Sequence, residues 1–311
     1  MAFEEGLAYN VKDLNLEAMQ EYANQWNLEW YLLKSGVFKS SIIGFHTQRI
    51  QFGFVTYSLP VEIHGNYPKD SILIILVKSA IDSAVYGNMK LNSDEILIVN
   101  AADKVDFLSS DAFSIITLCV DKKLFFENFP SDYSKELAEI LEQKKFKLQN
   151  GGGNYCLFDK IVSIIESLQD EKRTNSIDFK LFEERTLKEI FSFIDFEFSF
   201  KEYKKFNITH VRAYLKNNLE NEVDIEKIAQ RFQISKRQLF SAFKEFYSLT
   251  PKKYIHIMRL HKIHNRLQSS HEEQINVSDI AFRYGFRHMS YFTREYKELF
   301  NELPSQTLKK K

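Results

Sequence analysis

Two short stretches near the end of the sequence place basic and hydroxyl side chains opposite apolar ones. On a helix that advances 100° per residue, Arg237 and Ser241 fall opposite an apolar stripe in the first stretch, as do Ser290 and Arg294 in the second. A guanidinium can bind guanine O6 and N7 together, a serine hydroxyl can bond several base edges, and an apolar side chain can touch a thymine methyl group. This chemistry predicts contacts with base edges in a DNA major groove. The predicted base-reading residues are Arg237, Phe240, Ser241, Met289, Ser290 and Arg294.

Each of these residues also has an ordinary structural interpretation. Arg237 and Arg294 would otherwise belong to a solvated charged helix face, and Phe240 and Met289 to partly buried packing. Around them lie further cations, hydroxyl groups and a helix amide end, which suit phosphate contacts that position a protein on DNA without specifying sequence. The predicted phosphate-contacting residues are Lys236, Lys244, Ser278, Arg287, His288 and Thr293.

The two stretches belong to two copies of one helix-turn-helix pattern. In the first copy, Asp224 is a cap-type residue before the first helix, and Ser235 can cap the second helix with its hydroxyl. The second copy turns at Gly285, where glycine can adopt a positive φ without strain. Equivalent positions such as Arg237 and Ser290 are separated by 53 residues. A repeat at a constant offset is a far more specific signal than one helix-turn-helix match.

Six motifs carry the doubled pattern: Ile228-Ala229, Ser235-x-x-x-Leu239-x-x-x-Phe243-Lys244, Thr250-Pro251-x-x-Tyr254-Ile255, Met258-Arg259-Leu260, Ile280-Ala281-x-x-x-Gly285-Phe286 and Ser290-Tyr291-Phe292-x-Arg294-x-Tyr296-Lys297. Together they resemble the DNA-binding half of the AraC/XylS family of bacterial transcription regulators. The resemblance implies binding to double-stranded promoter DNA, control of transcription, most commonly activation, and RNA polymerase as a partner. Where that family has glycine, this chain has Gln233, Ser248 and Asn301. A glutamine with positive φ would cost on the order of 1 kcal/mol.

A long helix is predicted between the two copies. Thr250 is a cap residue, Pro251 suits the first helical position, and apolar residues continue on more than one face to Leu267. Such a helix would be about 25 Å long. It would hold the recognition helices roughly one DNA turn, ~34 Å, apart. The predicted DNA-binding domain covers residues 205–311, with helix-turn-helix units at about 225–246 and 278–300 and the connecting helix at 251–267.

Charge divides along the chain. The 311 residues carry 42 Lys and Arg and 42 Asp and Glu. Residues 208–311 hold 19 Lys and Arg against 11 Asp and Glu, whereas the rest of the chain holds 23 against 31. A basic C-terminal third beside an acidic remainder predicts one module that meets phosphate and another that does not.

Short apolar runs recur about every ten residues from 41 to 120, with turn residues between them. The run at 72–77 is apolar throughout, which predicts an antiparallel sandwich or barrel with one strand buried on both faces. A cupin-like barrel at about 40–120 fits this spacing and commonly precedes the DNA-binding half in the family that the chain resembles. Helical periodicity follows at about 121–198. The predicted fold is therefore α+β with two domains: a cupin-like antiparallel β-barrel with trailing helices in residues 1–200, and an all-α domain after it.

The barrel interior is where the resemblance implies a small-molecule effector. His46 and His64 are the only histidines of the predicted barrel, and the sequence lacks the His-x-His, following Glu and later His that a metal-dependent cupin enzyme would need. We therefore expect no catalysis and no cofactor. The alternative is a small-molecule-binding or enzymatic cupin-like barrel fused to a DNA-tethering module. The aromatic candidates for the lining are Phe45, Phe52, Phe54, Tyr57 and Tyr86.

Residues 155–198 carry an apolar stripe that is wider than one packing partner needs. The stripe either packs on its own domain alone or also buries itself against a second chain, so a homodimer through this region is one of two interpretations.

Three histidines of the C-terminal domain, His256, His261 and His264, have a spacing that suits a metal site. No Cys or carboxylate accompanies them at zinc-finger spacing, so we expect no metal there. No apolar run approaches the ~18 residues of a membrane span, and the first residues lack a signal-peptide pattern. The sequence therefore predicts a cytoplasmic, nucleoid-associated protein.

Overall fold

The computed structural model describes residues 5–22, 28–78, 84–93, 95–100, 104–129, 138, 141, 146–149, 154–168, 176–192, 207–269 and 276–309. The chain forms two compact units. The first consists of Met1–Trp30 and Phe38–Tyr203, and the second of Tyr31–Val37 and Lys204–Lys311. A short N-terminal segment thus belongs to the unit that contains the predicted DNA-binding domain.

The first unit is built on two β-sheets. The larger sheet has the order β1-β3-β4-β11-β6-β9-β12, and the smaller has the order β2-β5-β10-β7-β8. The predicted barrel closure is wrong, because in the described residues each sheet ends in edge strands. The antiparallel, sheet-rich N-terminal fold is confirmed. The strands are β1 (Ala8–Leu14), β2 (Glu29–Leu32), β3 (Ser40–His46), β4 (Ile50–Tyr57), β5 (Val61–Asn66), β6 (Ser71–Lys78), β7 (Ala84–Tyr86), β8 (Met89–Leu91), β9 (Glu95–Asn100), β10 (Lys104–Leu108), β11 (Phe113–Asp121) and β12 (Phe146–Gln149).

Helices cover one face of the larger sheet. Four helices of the first unit are described: α1 (Leu16–Tyr22), α2 (Lys122–Asn128), α3 (Asn154–Ser167) and α4 (Phe179–Ser192). Side chains of α2, α3 and α4 join one apolar core with Phe45, Phe52 and Ile74 of the sheet. The buried carboxylate of Glu183 in α4 accepts a 2.8 Å hydrogen bond from Arg49 Nε, which ties the helix to the start of β4. This side of the domain is therefore closed by packing.

The inner face of α4 accounts for most of its apolar stripe. Leu187, Ile190 and Phe191 are buried in the core shared with the sheet. Leu181, on the other side, is exposed. Packing within the domain is confirmed for Leu187, Ile190 and Phe191, and association with a second chain stays a prediction.

The second unit contains seven described helices that pack around the longest of them. These are α5 (Ile208–Asn217), α6 (Ile225–Arg231), α7 (Lys236–Tyr247), α8 (Pro251–Ser269), α9 (Val277–Arg283), α10 (Met289–Phe300) and α11 (Pro304–Lys309). The predicted connecting helix corresponds to α8, in which Thr250 Oγ1 accepts from the Lys253 amide at the N-terminus. Tyr254, Ile255, Met258 and Ile263 are buried, so α8 packs on more than one side, as predicted.

Residues 31–37 lie against the helices of the second unit. His261 Nε2 lies 2.8 Å from the Leu32 carbonyl oxygen, and Asn301 Nδ2 donates a 2.9 Å bond to the Gly36 carbonyl. The ammonium of Lys216 lies 4.0 Å from the centre of the Tyr31 ring. Within the described part of the chain, no helix has the length and apolar character needed to cross a membrane.

Candidate nucleic-acid interface

The first helix-turn-helix unit consists of α6, a four-residue turn and α7. Asp224 caps α6 by accepting from the amides of Glu226 and Lys227. Ser235 and Gln238 form a capping box at the start of α7, which satisfies two amides that the helix cannot bond itself. Between them Gln233 has a φ of 54°, so the glutamine adopts the left-handed conformation.

The outward face of α7 carries the predicted base-reading residues of this unit. Leu239 and Phe243 are buried, whereas Arg237, Phe240 and Ser241 are exposed. Phe240 is 38% exposed. The exposed positions therefore fit a surface that can enter a groove, and base reading by these residues stays a prediction.

Two lysines at the ends of α7 were predicted to contact phosphates. Lys236 forms an ion pair with Glu226 of α6, and Lys244 Nζ lies 3.5 Å from the Ser248 carbonyl oxygen at the C-terminal end. Both are exposed. Exposed ion pairs are weak, so the Glu226 contact leaves Lys236 able to turn to a phosphate.

The second helix-turn-helix unit consists of α9, its turn and α10. Its first helix starts earlier than Ser278, the predicted beginning, because Asn276 is the cap and accepts from the Ser278 amide at 2.9 Å. The turn contains Gly285 at a φ of 84°. A Cβ on that glycine would lie 3.1 Å from Nη1 of Arg259. The same guanidinium donates through Nε to the Leu219 carbonyl oxygen and through Nη2 to the Asn221 carbonyl oxygen. The positive φ therefore favours glycine, and a larger residue would also press on the Arg259 side chain.

The N-terminus of α10 lies among basic side chains. His288 occupies the cap position but makes no side-chain cap hydrogen bond, in contrast to Ser235 in the first helix-turn-helix unit. Arg287 and His288 are exposed, and with Arg259 and His256 they line a cavity beside the turn. Exposed amides and cations at a helix start suit an anion such as a phosphate. This arrangement fits the predicted roles of Arg287 and His288.

The predicted base-reading face of α10 has the expected orientation. Phe292, Tyr296 and Leu299 are buried, Ser290 and Arg294 are exposed, and Met289 and Thr293 are half-buried.

Tyr291 is a further exposed residue of this face that the sequence interpretation does not single out. The guanidinium of Arg294 lies 4.5 Å from the centre of the Tyr291 ring, and Tyr291 is 52% exposed. The i, i+3 spacing on a helix is the signal that could have identified this pair.

The three histidines considered for a metal site each have another contact. Nε2 of His256 lies 2.7 Å from Glu295 Oε2, His261 contacts the Leu32 carbonyl, and Nδ1 of His264 lies 2.7 Å from the Tyr296 hydroxyl. The Tyr296 hydroxyl also lies 2.8 Å from Thr307 Oγ1 of α11. These contacts hold α8, α10 and α11 together and so fix the position of α10.

Comparison with known proteins identifies this arrangement. A family model described as a helix-turn-helix domain matches residues 228–310. XylDLEGF operon transcriptional activator 3 from Pseudomonas putida is 33% identical over 101 residues, which are 32% of this chain and 30% of that protein. The HTH-type transcriptional activator RhaS from Escherichia coli is 33% identical over 92 residues, which are 30% of this chain and 32% of that protein. The C-terminal domain belongs to the AraC/XylS family.

These two relatives match over about a third of this chain. The chain spans about a third of the length of the curated relatives it matches. A crystal structure of a probable AraC family transcriptional regulator from Rhodopseudomonas palustris is 30% identical and covers 33% of this chain and 94% of that one, with a TM-score of 0.31.

Outside the AraC/XylS domain, the N-terminal unit contains a cavity of about 310 Å³. Its walls come from both sheets, including Ile42 and Val55 of the larger sheet and Ile63 and Phe107 of the smaller. Residues of α1 and β1 also line it, among them Met19. The cavity is thus the space between the two sheets, on the face of the larger sheet opposite α2, α3 and α4.

The five aromatic candidates for an effector site are divided between different places. Tyr57 lines this cavity, and Phe52 contributes to its wall although its ring packs on Phe182. Phe45 contacts Phe179 and Phe182, and Phe54 contacts Phe158, so both belong to the helix-covered face. Tyr86 is fully buried in β7 and does not line the cavity. The lining instead includes Trp30, His46 and Gln51, which the sequence interpretation did not propose.

Proposed function

We propose that this chain is a sequence-specific, DNA-binding regulator of transcription that acts as an activator. The observation that carries the proposal is the presence of two helix-turn-helix units whose second helices, α7 and α10, each bury one face and expose a polar, arginine-containing face. Helices of this kind insert into the DNA major groove in helix-turn-helix proteins.

In the proposed complex, α7 and α10 read two successive major grooves of promoter DNA. Arg237, Phe240 and Ser241 contact bases in one groove, and Met289, Ser290 and Arg294 contact bases in the other. Phosphates are held by Lys236, Lys244, Arg287, His288 and Thr293, and by the amide end of α9 near Ser278. The names of the relatives, both transcriptional activators, support activation as the mode of control.

The N-terminal domain has a regulatory and not an enzymatic role in this proposal. A cavity between its sheets supplies a place for an effector. An effector changes DNA binding only if it binds one domain arrangement more tightly than another. We further propose that the protein acts in the cytoplasm at the nucleoid, contacts RNA polymerase, and dimerises through the region of about 155–198, where Leu181 is an exposed apolar residue.

The test is selection of bound sequences from a random double-stranded DNA library by the purified protein. We expect one motif with two short blocks about a helical turn, ~10 base pairs, apart. Arg237→Ala should relax base preference in one block and Arg294→Ala in the other, each by roughly 1–3 kcal/mol of discrimination.

The matched control is Lys262→Ala, which removes an exposed cation of α8 outside both reading helices. It should leave both blocks unchanged. The proposal is contradicted if no motif emerges, or if both arginine variants select the same motif as the wild type.

A further inference from the structure

The cavity of the N-terminal domain is apolar over most of its wall but contains two buried polar atoms without a protein partner. The indole Nε1 of Trp30 and the amide Oε1 of Gln51 are both buried and make no hydrogen bond. Trp30 is 5% exposed, Gln51 is 3% exposed, and both residues line the cavity. A buried donor or acceptor without a partner is costly, which makes two of them in one cavity a sign of a missing partner.

Neighbouring contacts hold these two groups in place. Trp30 packs edge-on against Tyr57, with ring centres 5.6 Å apart. Gln51 Nε2 lies 2.8 Å from His46 Nε2, and the Tyr9 hydroxyl lies 3.4 Å from the same nitrogen. A Cβ on Gly44 would lie 2.1 Å from the Tyr9 ring, so the glycine allows that ring to lie flat on β3. The polar groups are therefore fixed by their surroundings before any ligand binds.

The charge of the lining excludes an anionic ligand. Among the described residues that line the cavity there is no lysine or arginine. Burial lowers the pKa of His46 to about 4, so its imidazole is neutral at pH 7. The one carboxylate of the described lining, Glu21, is exposed and would repel an anion. A cation is disfavoured as well, because an ammonium group has no lone pair to accept from Trp30 Nε1.

We propose that this cavity binds an uncharged, mainly apolar molecule that carries one hydrogen-bond acceptor for Trp30 and one donor for Gln51. A neutral aromatic or aliphatic amide has this chemistry. A volume of about 310 Å³ is at the lower end of ligand pockets and suits roughly 10–15 non-hydrogen atoms. The inference rests on the proposed effector role of the N-terminal domain and specifies the class of the effector.

The experiment measures binding of neutral amides to the full chain by calorimetry. The amides are benzamide, 2-naphthamide, biphenyl-4-carboxamide and decanamide. For whichever amide binds, the matching carboxylate and primary ammonium compounds should bind at least about tenfold more weakly. The carboxylate finds no lysine or arginine in the described lining, and the ammonium group cannot accept from Trp30 Nε1.

Two conservative variants test the polar groups. Trp30→Phe keeps an aromatic ring and removes the donor, and Gln51→Leu removes the acceptor. Each should raise the dissociation constant of the amide about fivefold, which corresponds to the loss of one hydrogen bond. Val55→Trp, which fills the cavity, should abolish binding. Tyr86→Phe is the control, because it removes a buried hydroxyl of the same domain outside the cavity; it should bind the amide as the wild type does.

The inference is overturned if none of the four amides binds, if a carboxylate or an ammonium compound binds as tightly as its amide, or if Trp30→Phe and Gln51→Leu both bind like the wild type. DNA selection on the same preparations separates this result from the proposed function. A selected DNA motif without amide binding overturns only the ligand class, whereas amide binding without a motif overturns only DNA reading.

Discussion

At the scale of single residues, three left-handed positions mark the turns and helix ends of the AraC/XylS domain. Gln233, Ser248 and Asn301 have φ values of 54°, 54° and 58°. This conformation brings Cβ close to a carbonyl oxygen and costs roughly 1–2 kcal/mol for most residues, although asparagine tolerates it better. The family that the chain resembles has glycine at these three positions, and here three other residues adopt positive φ. The domain therefore keeps the turn geometry and carries local strain, most of it at Gln233 and Ser248.

Replacing Gln233 by glycine should stabilise the domain. Gln233→Gly removes the left-handed strain but adds entropy to the unfolded chain, so we expect a net gain of about 0.5–1 kcal/mol. The measurement is the unfolding transition of the DNA-binding domain by calorimetry. Glu245→Gly, a change at an exposed position inside α7, should instead lower stability by about 1 kcal/mol. A loss of stability in Gln233→Gly would show that the glutamine side chain makes a compensating contact.

At the scale of elements, the helices were more predictable than the sheet faces. The positions of α7 and α10 follow from local spacing and caps, because Ser235 and the buried Leu239 and Phe243 lie within a few turns of each other. The faces of β4 could not be assigned in the same way. Phe52 and Phe54 alternate with Gln51 and Gly53, and only the distant helices α3 and α4 determine which set is covered. The aromatic set was predicted to line the cavity, but Phe54 packs on a helix instead.

The packing of the segment Tyr31–Val37 on the second unit also could not be predicted from the sequence. It is more than 170 residues away from the helices it contacts, and no periodicity links the two. Leu33 is 3% exposed and lines a small cavity with Leu260 and Leu299. The segment is therefore a structural part of the second unit.

Truncating Leu33 should destabilise the DNA-binding domain. Leu33→Ala deletes buried methyl groups, and we expect a loss of about 2–4 kcal/mol in the unfolding free energy of that domain. Val37→Ala is the matched control, because Val37 belongs to the same segment and is 68% exposed; its effect should stay within about 0.5 kcal/mol. Chemical denaturation followed by circular dichroism measures both. Equal stability of Leu33→Ala and the wild type would mean that the domain does not depend on the segment.

At the scale of the whole molecule, the net charge of zero is the sum of a basic part and an acidic part of the chain. The C-terminal residues 208–311 have eight more cations than anions, and the remaining residues have eight fewer. In the proposed complex, the positive charge concentrated on one unit attracts DNA phosphates to that unit, and the acidic remainder discourages contacts elsewhere. Within the basic unit, Arg287 and His288 stand at the start of α10, where no side chain caps the helix.

The salt dependence of DNA binding should therefore originate in the C-terminal unit. The logarithm of the association constant for the selected site should fall linearly with the logarithm of salt concentration, by about 0.9 for each phosphate neutralised. Arg287→Gln should make this slope shallower by about one while leaving base preference unchanged, because a phosphate contact positions without specifying. Lys123→Gln, which removes an exposed cation of α2 in the N-terminal unit, should leave the slope as it is. Fluorescence anisotropy with labelled DNA at several salt concentrations measures all three proteins. If Lys123→Gln changed the slope as much as Arg287→Gln, the acidic unit would also contact DNA. The unequal distribution of charge would then not be explained by DNA binding to the C-terminal unit alone.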